Sequence, residues 1–283
     1  MNALARDITE LDPESFRAIA DLAYRESGLT LVKEKSSMIC SRLRHRLRDL
    51  DLPDFKTYCA FLQTKDGLDE RRHLISALTT NVSHFFREDH HFDTLRETLQ
   101  KRLPDLRAGG EMRIWSAGCS NGQEALTMAM TILELAPDAG NLNLRILGTD
   151  IDPEVVEFAR AAVYPDRLMR GVPDDLIRKY FVRQESASSE PEFKAVDALR
   201  KMIRFNELNL LREWPMTRSF DVIFCRNVVI YFDLETQMKL WPRMKNVMTK
   251  DGVLFLGHSE RIADPHKFGF DCTGPTTYRP RAP

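Results

Sequence analysis

The sequence predicts an α/β protein in which an all-helical N-terminal domain precedes a Rossmann-like domain with a small antiparallel β insertion. Residues 1 to about 88 show helical spacing of apolar residues. Residues 112–130 then read as a buried strand, a loop of small residues and a helix, which is the geometry of a nucleotide-type site. A second short strand over 144–149 is followed by Asp150. We therefore place the domain boundary at 88, with the second domain over 89–283.

Composition sets broad limits. The chain has 283 residues, 43% of them hydrophobic, which is enough for one large domain or two modest ones. Its net charge of −1 argues against a general affinity for nucleic acid or anionic membranes. The five cysteines form no Cys-x-x-Cys pair, which is typical of free thiols in a reducing compartment. Without an apolar signal core or a membrane-spanning run, we expect a soluble, cytoplasmic protein.

The N-terminal region reads as a small helical bundle. Asp12 is placed to cap a first helix that Pro13 opens and Gly28 ends. A second helix is predicted from about Lys35 to Leu50, and two shorter helices follow it. The second helix is unusually basic, since residues 33–48 contain six lysines and arginines against one glutamate. This run is either a solvated face or a docking surface for an acidic partner; its arginines are Arg42, Arg44, Arg46 and Arg48.

The segment over 79–88 joins the bundle to the rest of the chain. It contains Phe85 and Phe86, and a simple linker would not need two adjacent aromatic residues. The nearby histidines invite a metal interpretation. However, His90 and His91 are adjacent and point in different directions on a helix, so we predict no metal site. A helix is expected from about Asp89 to Leu103.

The loop over 118–122 has several interpretations. It is not a Walker loop, because no Gly-Lys-Ser/Thr follows, and it lacks the three-glycine dinucleotide fingerprint. Gly118, Ser120 and Gly122 match the Gly-x-Ser-x-Gly elbow of serine hydrolases. A tight strand-to-helix turn without a ligand would also fit.

The end of the second strand favours a nucleoside site. Asp150 stands at the strand tip, where an acidic side chain can accept hydrogen bonds from ribose hydroxyls. Asp152 precedes Pro153 and reads as the cap of the next helix. A glycine loop and an acid without a phosphate-binding lysine indicate a nucleoside without a polyphosphate, and S-adenosylmethionine is the obvious member of that class.

In the C-terminal half, a group of short strands interrupts the α/β pattern, which then continues. Three short strands are predicted at 180–182, 193–196 and 202–205, with a turn over 184–191, and they form an insertion at about 178–205. A hydrophobic strand over 220–225 ends in Arg226 and Asn227, which should face the ligand crevice. A helix from Leu234 to about Met248, a strand over 252–257 and a last strand near 276–278 follow.

Six segments together resemble the chemotaxis receptor glutamate methyltransferase family, CheR. In order they are TTNVSHFFRE (79–88), GCSNGQE (118–124), GTDID (148–152), NLL (209–211), IFCRNVVIYF (223–232) and LFLGHSE (254–260). The likeness covers essentially the whole chain. It departs where Gln-Glu-Ala-Leu at 123–126 replaces the Glu-Glu-Pro-Tyr common in the family, and where Ser83 replaces a common threonine.

The resemblance implies a role for each candidate cofactor residue. Asp150 would hold the ribose of S-adenosylmethionine, and Glu124 would contact its methionine part or nearby polar atoms. Asn209 and Leu210 would lie along the adenine. The remaining implied contacts come from the 79–88 segment and from the end of the 220–225 strand: Asn81, Ser83, Arg87, Arg226 and Asn227.

The implied activity is methyl transfer to glutamate side chains of chemoreceptors, which yields S-adenosylhomocysteine and glutamate methyl esters for sensory adaptation. A glutamate side chain is already ionised near neutral pH, so the acceptor needs no strong general base. The donor is cationic and the acceptor anionic, so a dry site that aligns oxygen, methyl and sulfur should suffice. Arg87 and Tyr231 are the candidate catalytic residues, because they would orient the acceptor carboxylate near the transferred methyl.

The implied partner is the cytoplasmic domain of a chemoreceptor. Arg42, Arg44, Arg46 and Arg48 would dock on its methylation helices, and the β insertion would take a C-terminal tail peptide as an extra strand. The resemblance implies a monomer that is recruited to membrane receptor arrays, without nucleic acid or an integral membrane segment.

Three other functions stay open from the residues. Ser120 and His258 would be the nucleophile and base of a serine hydrolase, although such enzymes place strands before the elbow and this chain has helices there. A non-catalytic receptor-binding relative would keep the fold without the activity. A methyltransferase acting on RNA or on a small molecule is the third, and near-neutral charge and the whole-chain resemblance disfavour it.

Overall fold

The computed structural model describes residues 10–185 and 190–281. Their contacts form two compact units, of which the first is the chain up to Thr80 together with Tyr231–Asp233. The second unit is Asn81–Ile230 and Leu234–Pro283. The boundary that we predicted at 88 therefore moves to Thr80. The reason is Phe85, which is buried against the rings of Tyr164 and Phe181 in the second unit.

The first unit is built from four helices: α1 (Pro13–Ser27), α2 (Ser36–Asp49), α3 (Phe55–Leu62) and α4 (Leu68–Leu78). The predicted ends of α1 are confirmed. The Asp12 carboxylate accepts the backbone N–H groups of Glu14 and Ser15 at 3.0 and 2.9 Å, and Gly28 ends the helix with a φ of 72°. Leu43 and Leu47 of α2 are fully buried, as the helical spacing predicts.

Two of the four α2 arginines hold this bundle together. Arg42 donates to the carbonyl oxygens of Leu78 and Thr79 at 3.1 and 2.7 Å, and so caps the end of α4. Arg46 donates from Nε to Glu70 at 3.0 Å, and the buried Glu70 also accepts the Tyr58 hydroxyl at 2.8 Å. These bonds commit both guanidinium groups to contacts between helices.

The second unit contains the sheet. In chain order the elements are α5 (His90–Arg107), β1 (Met112–Ala117), α6 (Gln123–Leu135), β2 (Leu144–Asp150), α7 (Pro153–Ala161), β3 (Val163–Pro165), α8 (Asp174–Tyr180), β4 (Phe181–Gln184), β5 (Glu192–Ala195), α9 (Asp197–Arg200), β6 (Ile203–Glu207), β7 (Phe220–Cys225), α10 (Leu234–Asn246), β8 (Met248–Leu256), β9 (Phe270–Gly274) and β10 (Thr277–Pro280). The main strands follow the order β6-β2-β1-β7-β8-β10-β9. In this sheet β6, β2, β1, β7 and β8 are parallel, and β10 is antiparallel to both of its neighbours.

The antiparallel insertion exists, but its predicted composition is wrong in one strand. The small sheet has the order β3-β5-β4, so its third strand is β3 rather than residues 202–205. Those residues belong to β6, which extends the main sheet parallel to β2. Phe205 of β6 packs over Gly148 of β2, where an added Cβ would lie 2.5 Å from the phenyl ring. Part of the predicted turn, 186–189, lies outside the described residues, as do 1–9 and 282–283 of the predicted domains.

An aromatic layer packs α5 onto β7 and β8. The phenyl rings of Phe92 and Phe224 are stacked with centroids 5.5 Å apart, and the imidazole of His91 lies 4.7 Å from the ring of Phe255. His91 is fully buried, and its Nε2 is 3.0 Å from the Thr276 hydroxyl. Within residues 10–185 and 190–281, no helix has both the length and the apolar character needed to span a membrane.

Burial of His91 makes stability depend on pH. Burial, the Arg226 guanidinium and His90 lower the pKa of His91 from 6.5 to about 3. The unfolded chain therefore binds one more proton than the folded chain between these values, and stability falls as pH drops from 6.5 towards 3. Urea unfolding followed by circular dichroism measures the free energy of unfolding. As pH is lowered, this free energy is expected to fall less steeply for His91→Gln than for wild type, by up to about 1.4 kcal/mol per pH unit. Replacing the exposed His266 with Gln is the control, and equal slopes for all three proteins would contradict the prediction.

Candidate active site

Four loops meet at one edge of the sheet. β2, β1, β7 and β8 are neighbouring parallel strands, so their carboxyl ends lie at the same edge. The loops that leave these ends are 118–122 after β1, 151–152 after β2, 226–230 after β7 and 257–260 after β8. The segment 81–88 belongs to the same unit and contacts all four of these loops.

The loop after β1 turns sharply into α6. Gly118, Ser120 and Gly122 all have left-handed backbones, with φ of 88°, 48° and 82°. The N–H groups of Gly118 and Cys119 both donate to the carbonyl oxygen of Thr149 on β2 at 2.8 Å, which fixes the loop to the neighbouring strand. A Cβ on Gly118 would lie 2.2 Å from a methyl group of Val228, so only glycine allows the loops after β1 and β7 to touch.

Asp150 closes the end of β2 and is 8% exposed. Its two carboxylate oxygens accept the backbone N–H groups of Ser120 at 2.8 Å and Asp152 at 3.1 Å. Burial raises the pKa of Asp150 above its usual value, and these backbone bonds oppose the rise. A carboxylate can accept about four hydrogen bonds, so Asp150 retains acceptor capacity for hydroxyl donors.

Asp152 caps α7, as predicted. One oxygen accepts the backbone N–H of Glu154 at 2.9 Å, and the other accepts the Asn81 side-chain amide at 2.7 Å. The carbonyl oxygen of Asn81 in turn accepts the Ser120 hydroxyl at 3.0 Å. Asn81 therefore ties the 81–88 segment to the loops after β1 and β2.

Glu124 stands in the first turn of α6. Its Oε1 accepts the Ser116 hydroxyl at 2.6 Å, and its Oε2 is 3.2 Å from Nη1 of Arg226. Burial raises the pKa of the Glu124 carboxyl, while Arg226 and Ser116 oppose the rise. The two carboxyl groups of Asp150 and Glu124 place hydrogen-bond acceptors at this edge of the sheet, which suits a ligand with hydroxyl and ammonium donors.

Arg226 follows β7 and is 5% exposed. Besides Glu124, it contacts Glu88 at 3.4 Å and donates to the carbonyl oxygen of Arg87. Its guanidinium also lies over the rings of Phe92 and Phe224. Burial disfavours the charged form of Glu88, but Arg226 and His258 outweigh burial and lower the pKa of that carboxyl. Arg226 thus joins the loop after β7, the start of α6 and the 81–88 segment.

The 81–88 segment is held in an uncommon conformation. Phe86 and Glu88 both have a φ of 55°, which is costly for residues with a side chain. Arg87, which lies between them, donates from Nη1 to the carbonyl oxygen of Val82 at 3.1 Å. Arg87 and Ser83 are half-buried.

The other predicted residues fall into two groups. Asn209 accepts the N–H of Leu211 at 2.8 Å, and Leu210 is buried; both follow β6 in the second unit. Tyr231 is grouped with the first unit, where its carbonyl oxygen accepts the N–H of Thr30 at 2.9 Å. The α2 arginines also belong to the first unit; among them Arg44 is half-buried and Arg48 is exposed.

One residue at this edge was not predicted. Glu260, 2% exposed, accepts four backbone N–H groups in the loops after β7 and β8. It lies in the LFLGHSE segment that carries part of the resemblance, but nothing in the residue order shows which way those N–H groups point. Asn227, which was predicted as a cofactor contact, is one of the four donors.

The residues fit S-adenosylmethionine and not a hydrolase. Two largely buried carboxyl groups at the ends of neighbouring strands, beside a glycine turn, suit its ribose hydroxyls and its two positive charges. The Ser120 hydroxyl is bonded to the Asn81 carbonyl, while Nδ1 of His258 is 3.2 Å from Glu88. Each of the two groups needed for a nucleophile and its base thus has another partner. In the part of the chain that the structure describes, no group of three or more metal-ligating side chains is found.

Comparisons with known proteins agree along the chain. Residues 14–79 match the family model "CheR methyltransferase, all-alpha domain", and residues 81–278 match "CheR methyltransferase, SAM binding domain". A probable chemotaxis protein methyltransferase of Rhizobium etli is 42% identical over 91% of this chain and 96% of its own. Chemotaxis protein methyltransferase 2 of Pseudomonas aeruginosa is 35% identical over 94% of this chain and 93% of its own. The chemotaxis protein methyltransferase of Escherichia coli is 35% identical over 95% of this chain and 91% of its own.

Replacing Gly118 tests the packing at the sheet edge. Gly118→Ala must hold a left-handed φ and displace Val228, so we expect a loss of about 1–2 kcal/mol in unfolding free energy from the backbone alone. Gly140→Ala is the matched control, because a Cβ there meets no atom within 4 Å. Chemical unfolding of both variants measures the difference. Equal stability of the two would show that Gly118 is not required.

Proposed function

The chain belongs to the CheR methyltransferase family, and we propose that it transfers the methyl group of S-adenosylmethionine to glutamate side chains of chemoreceptors. Membership makes it an S-adenosylmethionine-dependent methyltransferase of chemotaxis. The observation that carries the choice of an anionic acceptor is Arg87. Among the described residues its Nη1 bonds to a backbone carbonyl, and its Nε lies 3.9 Å from a Glu88 oxygen. An arginine has five N–H donors, so the guanidinium retains donors for an acceptor carboxylate.

The cofactor is held by the carboxyl ends of the strands. Asp150 accepts the ribose hydroxyls, and Glu124, which Ser116 and Arg226 orient, accepts from the ammonium of the methionine part. Asn209 and Leu210 lie along the adenine, while Asn81, Ser83 and Asn227 line the remaining edge. When bound, S-adenosylmethionine supplies an electrophilic methyl group on a cationic sulfur.

The protein's contribution to the transfer is orientation and exclusion of water. A glutamate acceptor is ionised at neutral pH, so no residue needs to remove a proton. Arg87 and Tyr231 would orient the acceptor carboxylate, which would reduce the entropic part of the barrier. The opposite charges of acceptor and donor cancel as the bond forms, so a site with little water favours the transition state.

The acceptor is recognised by surfaces outside the cofactor site. The receptor's acidic methylation helices dock on α2 through Arg44 and Arg48. Arg42 and Arg46 bond to other parts of the bundle, whereas Arg44 contacts only Cys40 of its own helix among the hydrogen bonds of the described residues. In the insertion, β3 and β4 are the edge strands of the small sheet. An extended receptor tail peptide would add to such an edge as a further strand. Docking of this kind brings the enzyme to membrane receptor arrays.

The cofactor part is tested by calorimetric titration with S-adenosylmethionine and S-adenosylhomocysteine. Asp150→Asn should weaken both affinities roughly 10- to 100-fold, because hydrogen bonds to a charged group are worth about 1.5–3 kcal/mol. The exposed Asp175→Asn is the matched control and should bind like wild type. Equal affinities for the two variants would remove Asp150 from the site.

Receptor membranes incubated with methyl-labelled S-adenosylmethionine test the acceptor. We expect label that mild base releases as methanol, as for a methyl ester, and Ser120→Ala should retain it. Cofactor binding without labelling of receptors would favour the non-catalytic relative. Label that resists base would exclude glutamate as the acceptor.

Docking on α2 is tested by measuring the KM for receptor membranes and the melting temperature of arginine variants. The double variant Arg44→Ala/Arg48→Ala should raise the KM for receptor membranes roughly 10-fold at low salt, which corresponds to about 1.4 kcal/mol of binding free energy. Its melting temperature should be unchanged. Arg42→Gln should instead lower the melting temperature, since it removes the cap on α4. The double variant of the exposed Arg17 and Arg25 on α1 is the control. An unchanged KM for the first pair would place the docking surface elsewhere.

A further inference from the structure

The loop over 226–230 is shaped by a carboxylate that has no role in the mechanism above. Glu260 accepts the N–H of Asn227 at 2.7 Å through Oε2, and those of Val228 and Ile230 at 2.8 and 3.2 Å through Oε1. Its Oε2 also accepts the N–H of Gly257 at 2.6 Å. Four backbone donors therefore converge on one side chain, an arrangement that suits a full negative charge.

The loop depends on this acceptor. Asn227 has a φ of 58°, which turns successive N–H groups to the same side. If Glu260 were absent, the buried N–H of Gly257 and the part-buried N–H groups of the 226–230 loop would lose this acceptor, and a buried donor without a partner is costly. Burial raises the pKa of Glu260, and the four backbone bonds oppose that rise. The chain thus keeps a buried carboxyl group at this place despite the cost of desolvation.

Gly257 also indicates that the loop after β8 must approach the 226–230 loop closely. A Cβ there would lie 2.8 Å from the backbone nitrogen of Asn227 and 2.8 Å from Oε2 of Glu260. Real Cβ atoms do not approach so closely, so the loop after β8 can reach the loop after β7 only through glycine. The contact between Glu260 and the 226–230 loop therefore depends both on the carboxylate and on glycine at position 257.

The same loop also touches the cofactor residues. Val228, held at its N–H by Glu260, fills the space where Gly118 lacks a Cβ. Arg226, the first residue of the loop, reaches Glu124. Tyr231 follows Ile230 directly in the chain. A shift of this loop would thus change the placement of Arg226 and of the glycine turn together.

From these contacts we infer that Glu260 is a positioning residue for methyl transfer, acting through the 226–230 loop and not by contact with cofactor or acceptor. The effect on turnover rests on the proposed function, whereas the claim that Glu260 holds the loop does not. A shift of about 1 Å in a reacting group can cost roughly 100-fold in rate, so loss of the contact should affect turnover more than cofactor affinity.

The test uses the full chain with Glu260→Gln, and the exposed Glu213→Gln as the matched control. Glutamine has nearly the same shape, but its NH₂ group would face backbone donors. Hydrogen exchange followed by mass spectrometry should show faster exchange of the amides at 227, 228 and 230 in Glu260→Gln alone. The kcat per cofactor-binding site should fall about 100-fold, while the Kd for S-adenosylmethionine, measured by calorimetry, rises less than about 10-fold.

A purely structural role would lower activity only in proportion to the folded fraction, so unchanged kcat per binding site would overturn the inference. Unchanged exchange at 227–230 would also overturn it. Gly257→Ala, which disturbs the contact without removing the charge, should give the same two effects and replaces Glu260→Gln if that variant does not fold. If wild type itself does not methylate receptors, the proposed function fails, and the exchange and Kd measurements still decide whether Glu260 holds the loop.

Discussion

The structure depends on carboxyl groups that are buried at the carboxyl edge of a parallel sheet. Asp150, Glu124 and Glu260 stand after β2, β1 and β8, and burial raises the pKa of each. Different donors offset the cost of burial in each case. Asp150 accepts two backbone N–H groups, Glu124 accepts a hydroxyl and a guanidinium, and Glu260 accepts four backbone N–H groups. A core without these groups would be simpler to stabilise. Under the proposed function, Asp150 and Glu124 are kept for the cofactor, and Glu260 is kept for the loop that it holds.

Backbone strain collects around the same edge. Seven described residues other than glycine have a positive φ, and four of them lie in the segments that form the site: Phe86, Glu88, Ser120 and Asn227. Strained backbone persists where surrounding contacts determine it fully. Here those contacts are the bonds of Asn81, Arg226 and Glu260. Part of the folding free energy is therefore spent on holding loops in place for chemistry.

Local chemistry made the helix caps and the glycine turn predictable. Asp12 and Asp152 were recognisable as helix caps because a cap is a short-range interaction, and both bonds are present. The strand-loop-helix over 112–130 was recognisable by its glycines and by the change of hydrophobic period. Both features depend on neighbours within a few residues, which the order of residues shows directly.

Features that depend on distant partners were not predictable. Residues 202–205 looked like one more short strand of the insertion, because an apolar run does not show that Phe205 packs over Gly148. The basic run over 33–48 did not show that Arg42 bonds at the end of α4 or that Arg46 bonds Glu70. Glu260 was missed since its partners are backbone N–H groups, which every residue type except proline has.

The grouping of Tyr231–Asp233 with the helical unit has a consequence for dissecting the protein. The Tyr231 carbonyl accepts from Thr30, and the Asp233 carboxylate accepts the Tyr24 hydroxyl at 2.9 Å. A fragment that starts at Asn81 would retain these three residues without the helices that hold them, and a fragment that ends at Thr80 would lack them. The helical unit is thus discontinuous in sequence, and a cut at the family-model boundary separates Tyr231 from its own hydrogen-bond partner.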